Sequence, residues 1–348
     1  MSRTATLAPA PGVVDRRHPA RGRARWLLVV LGVLALLVVT SVMVGSRQVG
    51  WLDAVAALGG SLEGFDQAAV AKRTPRTLLA VAAGAALGVS GAVMQGVTRN
   101  PLADPGILGV NTGASLAVVV GIAFFGLTSA ASTAWVAIGG AGATAVAVYA
   151  IGSLGRGGAT PLKLALAGAA TSAALASLVS AVVLGRNDIA DGARSWQIGG
   201  VGGGSYAALA QVGPFLAVGL VLCLLSARGL NSLALGDDLA AGLGERVALT
   251  RGLAALGAVT LCGATTAVTG PIAFVGLVVP HACRLLVGVD HRWLLPFSAV
   301  VGAGLLTAAD VLGRVVARPA ELAVGIVTAF VGAPVFIWVV RRQKVSAL

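Results

Sequence analysis

Long apolar runs alternate with short polar segments along the chain. Ten of these runs approach the roughly 20 residues that an α-helix needs to cross the hydrocarbon core of a bilayer. The runs cover residues 26–45, 77–98, 107–127, 134–151, 162–184, 206–227, 252–269, 272–287, 294–313 and 321–340. The boundary between the seventh and eighth runs is the hardest to place, because both are short and only Gly270 and Pro271 separate them. This pattern predicts an all-α polytopic membrane protein with about ten transmembrane helices.

The composition fits a protein embedded in lipid. Of the 348 residues, 57% are hydrophobic and 11% are charged, whereas a soluble domain carries about 25% charged residues. The 49 glycines suit helices whose backbones pack closely in the membrane. Cys223, Cys262 and Cys283 lie in apolar runs without CxxC spacing, so we expect buried thiols and neither a disulfide nor a metal site.

The net charge of +12 sits mostly at the ends of the apolar runs, which indicates membrane topology and not a nucleic-acid-binding groove. Residues 1–25 contain six arginines, and we interpret them as a disordered basic tail in the cytoplasm, ahead of a single transmembrane domain at 26–348. An even number of spans returns the C-terminus to the cytoplasm. Of the 25 lysines and arginines, eight then lie outside and the remaining 17 inside, as the positive-inside rule prefers. The eight are Arg47, Lys72, Arg73, Arg76, Arg186, Arg194, Arg314 and Arg318.

One segment, 234–250, is charged and helix-prone although long apolar runs flank it. An apolar residue recurs in it every four positions and would form one face, at Leu235, Leu239, Leu243 and Val247. Gly242 and Gly244 would divide the segment into two short helices, and Asp237 and Asp238 would favour the positive N-terminal end of the first. From these residues alone, an ordinary charged loop is the alternative.

Two polar–proline pairs mark helix starts. In the stretch RNPLADPGILG (99–109), a proline ends the second helix, and Asp104 with Pro105 can cap and start the third within a tight cytoplasmic turn. Thr160 and Pro161 have the same form at the cytoplasmic start of the fifth helix. The external segment 46–76 is amphipathic and is predicted to lie along the outer membrane interface.

Three long stretches, in order along the chain, resemble one known family. They are RTPRTLLAVAAGAALGVSGAVMQGVTRNPLADPGILGV (73–110), GPIAFVGLVVPHACRLLVGVDHRWLLP (270–296) and ADVLGRVVARPAELAVGIVTAFVGAPVFIW (309–338). They are similar to the permease subunits of ABC importers for iron–siderophores, haem and cobalamin, and the similarity runs from about residue 26 to the C-terminus. The resemblance implies a type II ABC importer permease with ten helices. It also implies a dimer with a second copy or a similar permease, two ATPase subunits at the cytoplasm and a substrate-binding protein outside.

The resemblance also assigns roles to particular residues. It implies that the segment 234–250 couples to the ATPase, through Leu235, Asp237, Asp238, Leu239, Leu243, Glu245 and Arg246. It implies that external arginines meet carboxylates of the binding protein, which suits the planar guanidinium group, at Arg73, Arg76 and Arg314. Asp310 lies four residues before Arg314, and an ion pair between them would compete with docking. Thr160 and Pro161 lie near the family's inner gate, and they fit a helix cap followed by a first-turn proline equally well.

The chain contains no GxxxxGK[ST] motif, so it is predicted to bind no cofactor directly and to depend on ATP-Mg held by a partner ATPase. We therefore expect a non-enzymatic permease of the bacterial cytoplasmic membrane that imports a ferric siderophore, with haem or cobalamin as alternatives. An ion-coupled secondary transporter would need a functional carboxylate near the midplane, and Asp310 and Glu321 lie near helix ends. A membrane enzyme would need a catalytic cluster, and His281 and His291 show no metal-ligand spacing, so we expect structural roles for them.

Overall fold

A computed structural model of the chain describes residues 20–45, 49–60, 64–127, 129–155, 160–186 and 196–345. These residues form α-helices and connecting turns, with no β-strand among them. The helices are α1 (Ala20–Met43), α2 (Trp51–Leu58), α3 (Phe65–Thr98), α4 (Val110–Phe125), α5 (Ala130–Ser153), α6 (Pro161–Leu184), α7 (Tyr206–Leu225), α8 (Ala227–Leu233), α9 (Asp237–Gly242), α10 (Val247–Thr269), α11 (Val275–Val287), α12 (His291–Val316) and α13 (Val324–Val345). The all-α prediction is confirmed.

Each of the ten predicted spans corresponds to one helix. Within the described residues, seven helices are long and apolar enough to cross a membrane, namely α1, α3, α5, α6, α7, α10 and α12. The shorter apolar helices are α4, α11 and the first part of α13. α1 begins at Ala20, so the last residues of the predicted basic tail are helical, and residues 1–19 lie outside the described part. The predicted interfacial segment 46–76 contains α2 and the start of α3, which begins at Phe65 and runs through Pro75.

The central helix is α3, which packs along α12, α10 and α11. Its contacts depend on glycine, because a Cβ at Gly84 would overlap the carbonyl group of Gly302 in α12. A Cβ at Gly91 would likewise overlap Gly276 in α11. Helices in lipid gain little from hydrophobic burial against one another, so close approach of backbones is a main source of their packing energy. The three free cysteines are all buried, as the sequence predicts.

The 99–109 stretch begins with the exposed residues Arg99 and Pro101 and ends with the buried residues Leu108 and Gly109. The Asp104 carboxylate accepts a hydrogen bond from the Gly106 amide at 2.8 Å, and Pro105–Leu108 form a short 3-10 helix. Asp104 therefore caps this turn and not α4, which starts one residue after the left-handed Gly109 (φ 69°). A Cβ placed on Gly276 would lie 2.6 Å from Asp104 Oδ2, so the carboxylate packs against the start of α11.

The eighth predicted span is a helix of partial length. α11 has 13 residues and is about 20 Å long, which is less than the hydrocarbon thickness of about 30 Å. Non-helical backbone at 270–274 precedes it, with Ile272 buried and Phe274 in a left-handed conformation (φ 68°). Irregular backbone is tolerated at membrane depth where protein surrounds it, and this explains why the boundary near Gly270 was hard to place from hydropathy.

The packing of α3 generates a stability prediction. We expect Gly91→Ala to lower the free energy of unfolding by about 1–3 kcal/mol, because the added methyl group forces the backbones of α3 and α11 apart. Gly139→Ala in α5 is the matched control, since no described atom of another helix lies within 4 Å of its Cβ position and alanine is the better helix former. Denaturant titration of both variants in mixed micelles measures the difference. Equal stability of the two variants would contradict this account of the α3 contacts.

Candidate docking and coupling surfaces

Contacts between connecting segments fall into two groups, which match the two sides of the predicted topology. On the predicted outer side, the Gly200 amide donates to the Thr269 carbonyl at 2.6 Å and the Gly325 amide donates to the Gly199 carbonyl at 3.0 Å. On the predicted inner side, the end of α3 contacts α9 through Arg99 and Asp237. The candidate docking arginines lie in the first group and the candidate coupling segment lies in the second.

Arg76 is the centre of the outer group. Its Nε and Nη2 donate to Asp310 Oδ1 at 3.0 and 2.8 Å, and its Nη1 donates to Glu321 Oε2 at 2.6 Å. These bonds connect α3 to α12 and to the segment that precedes α13. The side chain of Arg76 is 13% exposed, whereas Glu321 is 41% exposed.

Arg314 is buried beside this pair. Its Nη2 lies 2.9 Å from Asp310 Oδ2, so the ion pair along α12 that the spacing predicts is present. Nη2 also donates to Ser41 Oγ at 2.7 Å, and Nη1 donates to the carbonyl oxygens of Ser41 and Val44 at 2.9 and 3.1 Å. Asp310, itself fully buried, thus lies between the guanidinium groups of Arg76 and Arg314.

Arg73 binds the backbone of the last turn of α1. Its Nη1 donates to the carbonyl oxygens of Val42 and Met43 at 3.3 and 3.1 Å. Gly45 packs against the same guanidinium group, because a Cβ there would lie 2.5 Å from Nη2. Arg73 and Arg314 therefore both hold the outer end of α1.

Burial limits how these arginines can meet another protein. The exposed fraction is 8% for Arg73 and 1% for Arg314, so a carboxylate from outside reaches Arg314 only if its present partners move. Arg76 has the most accessible environment, since its partner Glu321 is partly exposed. The docking role of the three arginines stays a prediction, and the structure shows in addition that they bind α1 and α12 internally.

The coupling segment contains a short exposed helix, α9, with Leu239 inside it and Leu235 and Leu243 on its two sides. Leu235, Leu239 and Leu243 are 59, 63 and 69% exposed, and an exposed apolar patch of this kind marks an interaction site. Val247 departs from the predicted face, because it is partly buried against the core at the start of α10. The chain turns at Gly244 (φ 85°) directly into α10, so the predicted second short helix is the first turn of that long helix.

The two aspartates of α9 differ in their surroundings, although both lie in its first turn as predicted. Asp237 Oδ1 accepts from Arg99 Nη2 at 2.8 Å and from Arg251 Nη2 at 3.0 Å, and Asp237 Oδ2 accepts from Arg251 Nη1 at 3.3 Å. The side chain of Asp238 is exposed and forms no ion pair within the described residues. The structure thus separates a bound carboxylate from a free one on the same turn.

Glu245 and Arg246 close the coupling segment. Glu245 Oε1 accepts a short hydrogen bond from Thr250 Oγ1 in the first turn of α10. Arg246 precedes α10 and is exposed. Of these two, Arg246 is therefore the one whose side chain is available to a partner.

Thr160 and Pro161 form the helix start that their sequence allows. Thr160 Oγ1 accepts from the Lys163 amide at 3.4 Å, and Pro161 is the first residue of α6. Lys163 Nζ also donates to the Leu154 carbonyl at 3.1 Å, across the loop from α5. A cap of this kind is compatible with a gate, and the gating role stays a prediction.

A polar cluster that the sequence did not reveal connects α8 to the start of α12. Asn231 Oδ1 accepts from the His291 amide at 2.9 Å and lies 2.8 Å from its Nδ1, while Asn231 Nδ2 donates to Asp290 Oδ1 at 2.6 Å. Burial alone would raise the pKa of Asp290, but hydrogen bonds from Arg292 and Asn231 outweigh it and lower that pKa. The structural role expected for His291 is confirmed, whereas nothing in the sequence pattern marks Asn231.

Inside the protein, Asn111 connects α4 to α10. Its Oδ1 accepts from Thr266 Oγ1 at 3.1 Å and from Cys262 Sγ at 3.4 Å. Asp104 lies close to this cluster, since a Cβ on Gly106 would be 2.9 Å from Asp104 Oδ1 and 3.5 Å from Asn111 Nδ2. The only sequence signal for this cluster is the presence of polar residues near the start of one apolar run.

Comparison with known proteins agrees with this arrangement. The sequence model of the FecCD transport family matches residues 33–342. The ferric enterobactin transport system permease protein FepD of Escherichia coli (strain K12) is 45% identical over 321 residues, which cover 91% of this chain and 96% of that protein. The iron(3+)-hydroxamate import system permease protein FhuB of Bacillus subtilis (strain 168) is 45% identical over 273 residues, which cover 78% of this chain and 71% of that protein.

A solved structure supports the fold. It is described as an inward-facing conformation of a metal-chelate type ABC transporter, and it superposes with a TM-score of 0.79 at 28% sequence identity, covering 92% of this chain and 99% of that one. The helices and their order therefore define a polytopic permease of the ABC-importer kind. The chain belongs to the FecCD transport family, and it is the permease subunit of an ABC importer.

The outer cluster generates a second stability prediction. We expect Asp310→Asn to lower the free energy of unfolding by about 3 kcal/mol, because the buried guanidinium groups of Arg76 and Arg314 lose the charge between them. Glu321→Gln is the control, and it should cost under about 1 kcal/mol because its ion pair is partly exposed. Denaturant titration in mixed micelles compares the two variants. An Asp310→Asn variant as stable as the Glu321→Gln variant would show that the buried carboxylate does not hold this end together.

Proposed function

We propose that the chain forms the path by which a ferric siderophore crosses the bacterial cytoplasmic membrane. The observation that carries this proposal is similarity along nearly the full chain to FepD, which is named for ferric enterobactin transport. FhuB, named for iron(3+)-hydroxamate import, supports the same cargo class. Haem and cobalamin are the alternative cargoes.

We infer that ATP hydrolysis occurs on a separate subunit that binds Mg-ATP and contacts α9 from the cytoplasm. The exposed side chains of Leu235, Leu239 and Leu243 favour this contact, because a protein surface would remove them from water. Asp238 and Arg246 are exposed beside them and supply polar contacts at the edge. In this arrangement both chain termini lie in the cytoplasm.

We infer further that an extracytoplasmic binding protein docks at the outer arginines. Arg76 is the first to be reached, because a carboxylate of the binding protein can replace the partly exposed Glu321 on its Nη1. Arg73 and Arg314 then take part only after the outer end of α1 shifts. A second permease, either another copy or a similar chain, completes the path, and the α6 start at Thr160 and Pro161 narrows it on the inner side.

An ion-coupled secondary transporter is the second candidate, and one observation favours it. Asp104 is a carboxylate packed inside the protein against Gly276, and intramembrane carboxylates often carry coupling ions. Two observations stand against it: the exposed leucines of the coupling segment, which a transporter working alone does not need, and the membership of the FecCD family.

Reconstitution separates the two candidates. The permease is placed in vesicles with its ATPase subunit and binding protein, and uptake of a radioactive iron–siderophore complex is measured with ATP, with ADP, or with a proton gradient alone. The proposed importer takes up the chelate only with ATP and binding protein present. Uptake that a proton gradient drives without ATP would reject the proposal in favour of the secondary transporter.

The contact with the ATPase can be tested on α9 alone. We expect Leu239→Asp to reduce ATPase co-purification about tenfold or more, since burial of a leucine contributes about 1.5–3 kcal/mol and each 1.4 kcal/mol is tenfold in affinity. Leu52→Asp in α2 is the control, because Leu52 is 82% exposed and lies on the predicted outer side. Quantitative pull-down of the tagged permease gives the ratio, and equal ATPase recovery from both variants would place the contact elsewhere.

A further inference from the structure

Asp237 joins three helices at the predicted cytoplasmic end of the protein. It is the first residue of α9, and its carboxylate accepts from Arg99 at the end of α3 and from Arg251 in α10. Arg251 uses both terminal nitrogens on the two carboxylate oxygens, at 3.0 and 3.3 Å, and this bidentate geometry fixes orientation as well as distance.

Two unusual backbone conformations bring these groups together. Arg99 is the left-handed residue (φ 50°) that ends α3, a position that favours glycine because a side chain is strained there. Gly236, directly before Asp237, has φ 108°, and a Cβ on it would lie 3.9 Å from Arg99 Nη1. Strained residues persist where the surrounding contacts hold them, and here the strained arginine is also the one that binds Asp237.

Packing alone holds α9 weakly. Among its six residues only Ala240 is buried. A single small buried side chain contributes little to holding the helix in place. By contrast, α3 and α10 are extensively buried and pack against each other. The ion pairs of Asp237 are therefore the side-chain contacts that connect this exposed helix to the two central ones.

We propose that Asp237 is a positioning residue through which movement of α9 reaches α3 and α10. The inference rests on the proposed function, since it requires an ATPase that presses on α9. It also divides the roles of the two neighbouring aspartates. Asp237 acts inside the permease by holding Arg99 and Arg251, whereas Asp238 faces the ATPase.

Neighbouring variants test this division in the reconstituted importer. Asp237→Asn and Asp238→Asn each remove one negative charge, from adjacent positions. Arg99→Gln removes the arginine from the ion pair between Arg99 and Asp237. Three quantities are measured for each variant: the amount of bound ATPase, the rate of ATP hydrolysis with binding protein, and the iron chelate imported per ATP hydrolysed. Melting temperature and gel filtration check that each variant folds.

We expect Asp237→Asn to import about fivefold less chelate per ATP, the size of effect of one partly exposed ion pair, while it binds the ATPase normally. Arg99→Gln should lower import per ATP by a smaller factor, because Arg251 still holds Asp237, and the double variant should lose no more than Asp237→Asn alone, because that variant already breaks the pair with Arg99. Asp238→Asn should instead lower the amount of bound ATPase, because Asp238 faces that subunit, while the chelate imported per ATP hydrolysed stays at the value of the unaltered chain. A merely structural role would lower the melting temperature and leave this ratio intact.

Two outcomes overturn the inference. One is an Asp237→Asn importer that imports as much chelate per ATP as the Asp238→Asn importer, with Arg99→Gln also unchanged. The other is a double variant whose losses multiply, since Arg99 and Asp237 would then act independently. Failure of the proposed function looks different, because the unaltered chain would then bind no ATPase or import nothing with ATP, and the inference would fall with it.

Discussion

Close approach of helix backbones is the constraint on which this structure depends. Lipid offers no hydrophobic drive for helices to associate, so they hold together where small residues let backbones meet. α3 meets α12 at Gly84 and Gly302 and meets α11 at Gly91 and Gly276. In its most apolar stretch, 78% of α3 residues are buried, against 11% in α1. The other helices take their places around this axis.

The charged clusters at the two ends of α3 differ in how deeply they are buried. At the outer end, Asp310 is fully buried between two arginines, and buried charges that lose a partner are costly, so this cluster resists rearrangement. At the inner end, Asp237 is 43% exposed, and water can take over its interactions at little cost. The outer cluster is thus held by buried charges, whereas the inner one is partly open to water.

Helix positions could be predicted from the sequence, because hydropathy depends on local order along the chain, whereas the single leucine face predicted for the coupling segment is wrong, because the backbone at Gly236 and Gly244 interrupts the helix. The depth at which a segment lies in the protein could not be predicted from the sequence. Hydropathy gives the length of an apolar run, so it gave no sign that α11 starts beside Asp104 inside the protein. The burial of Arg314 also escaped prediction, although its pairing with Asp310 followed from spacing. Its burial depends on Ser41 and Val44, about 270 residues away in sequence.

The contacts that hold the outer end of α1 affect how much the sequence of this helix can vary. Arg73 and Arg314 bind the outer end of this helix mainly through carbonyl oxygens of residues 41–44. Every amino acid provides such an oxygen, and only 11% of the most apolar stretch of α1 is buried. Substitutions during evolution can therefore replace many residues of α1 with other apolar residues, while the hydrogen bonds from the two arginines to its backbone remain. Sequence divergence among relatives should concentrate in this helix, and the two arginines that recognise its backbone should change far less.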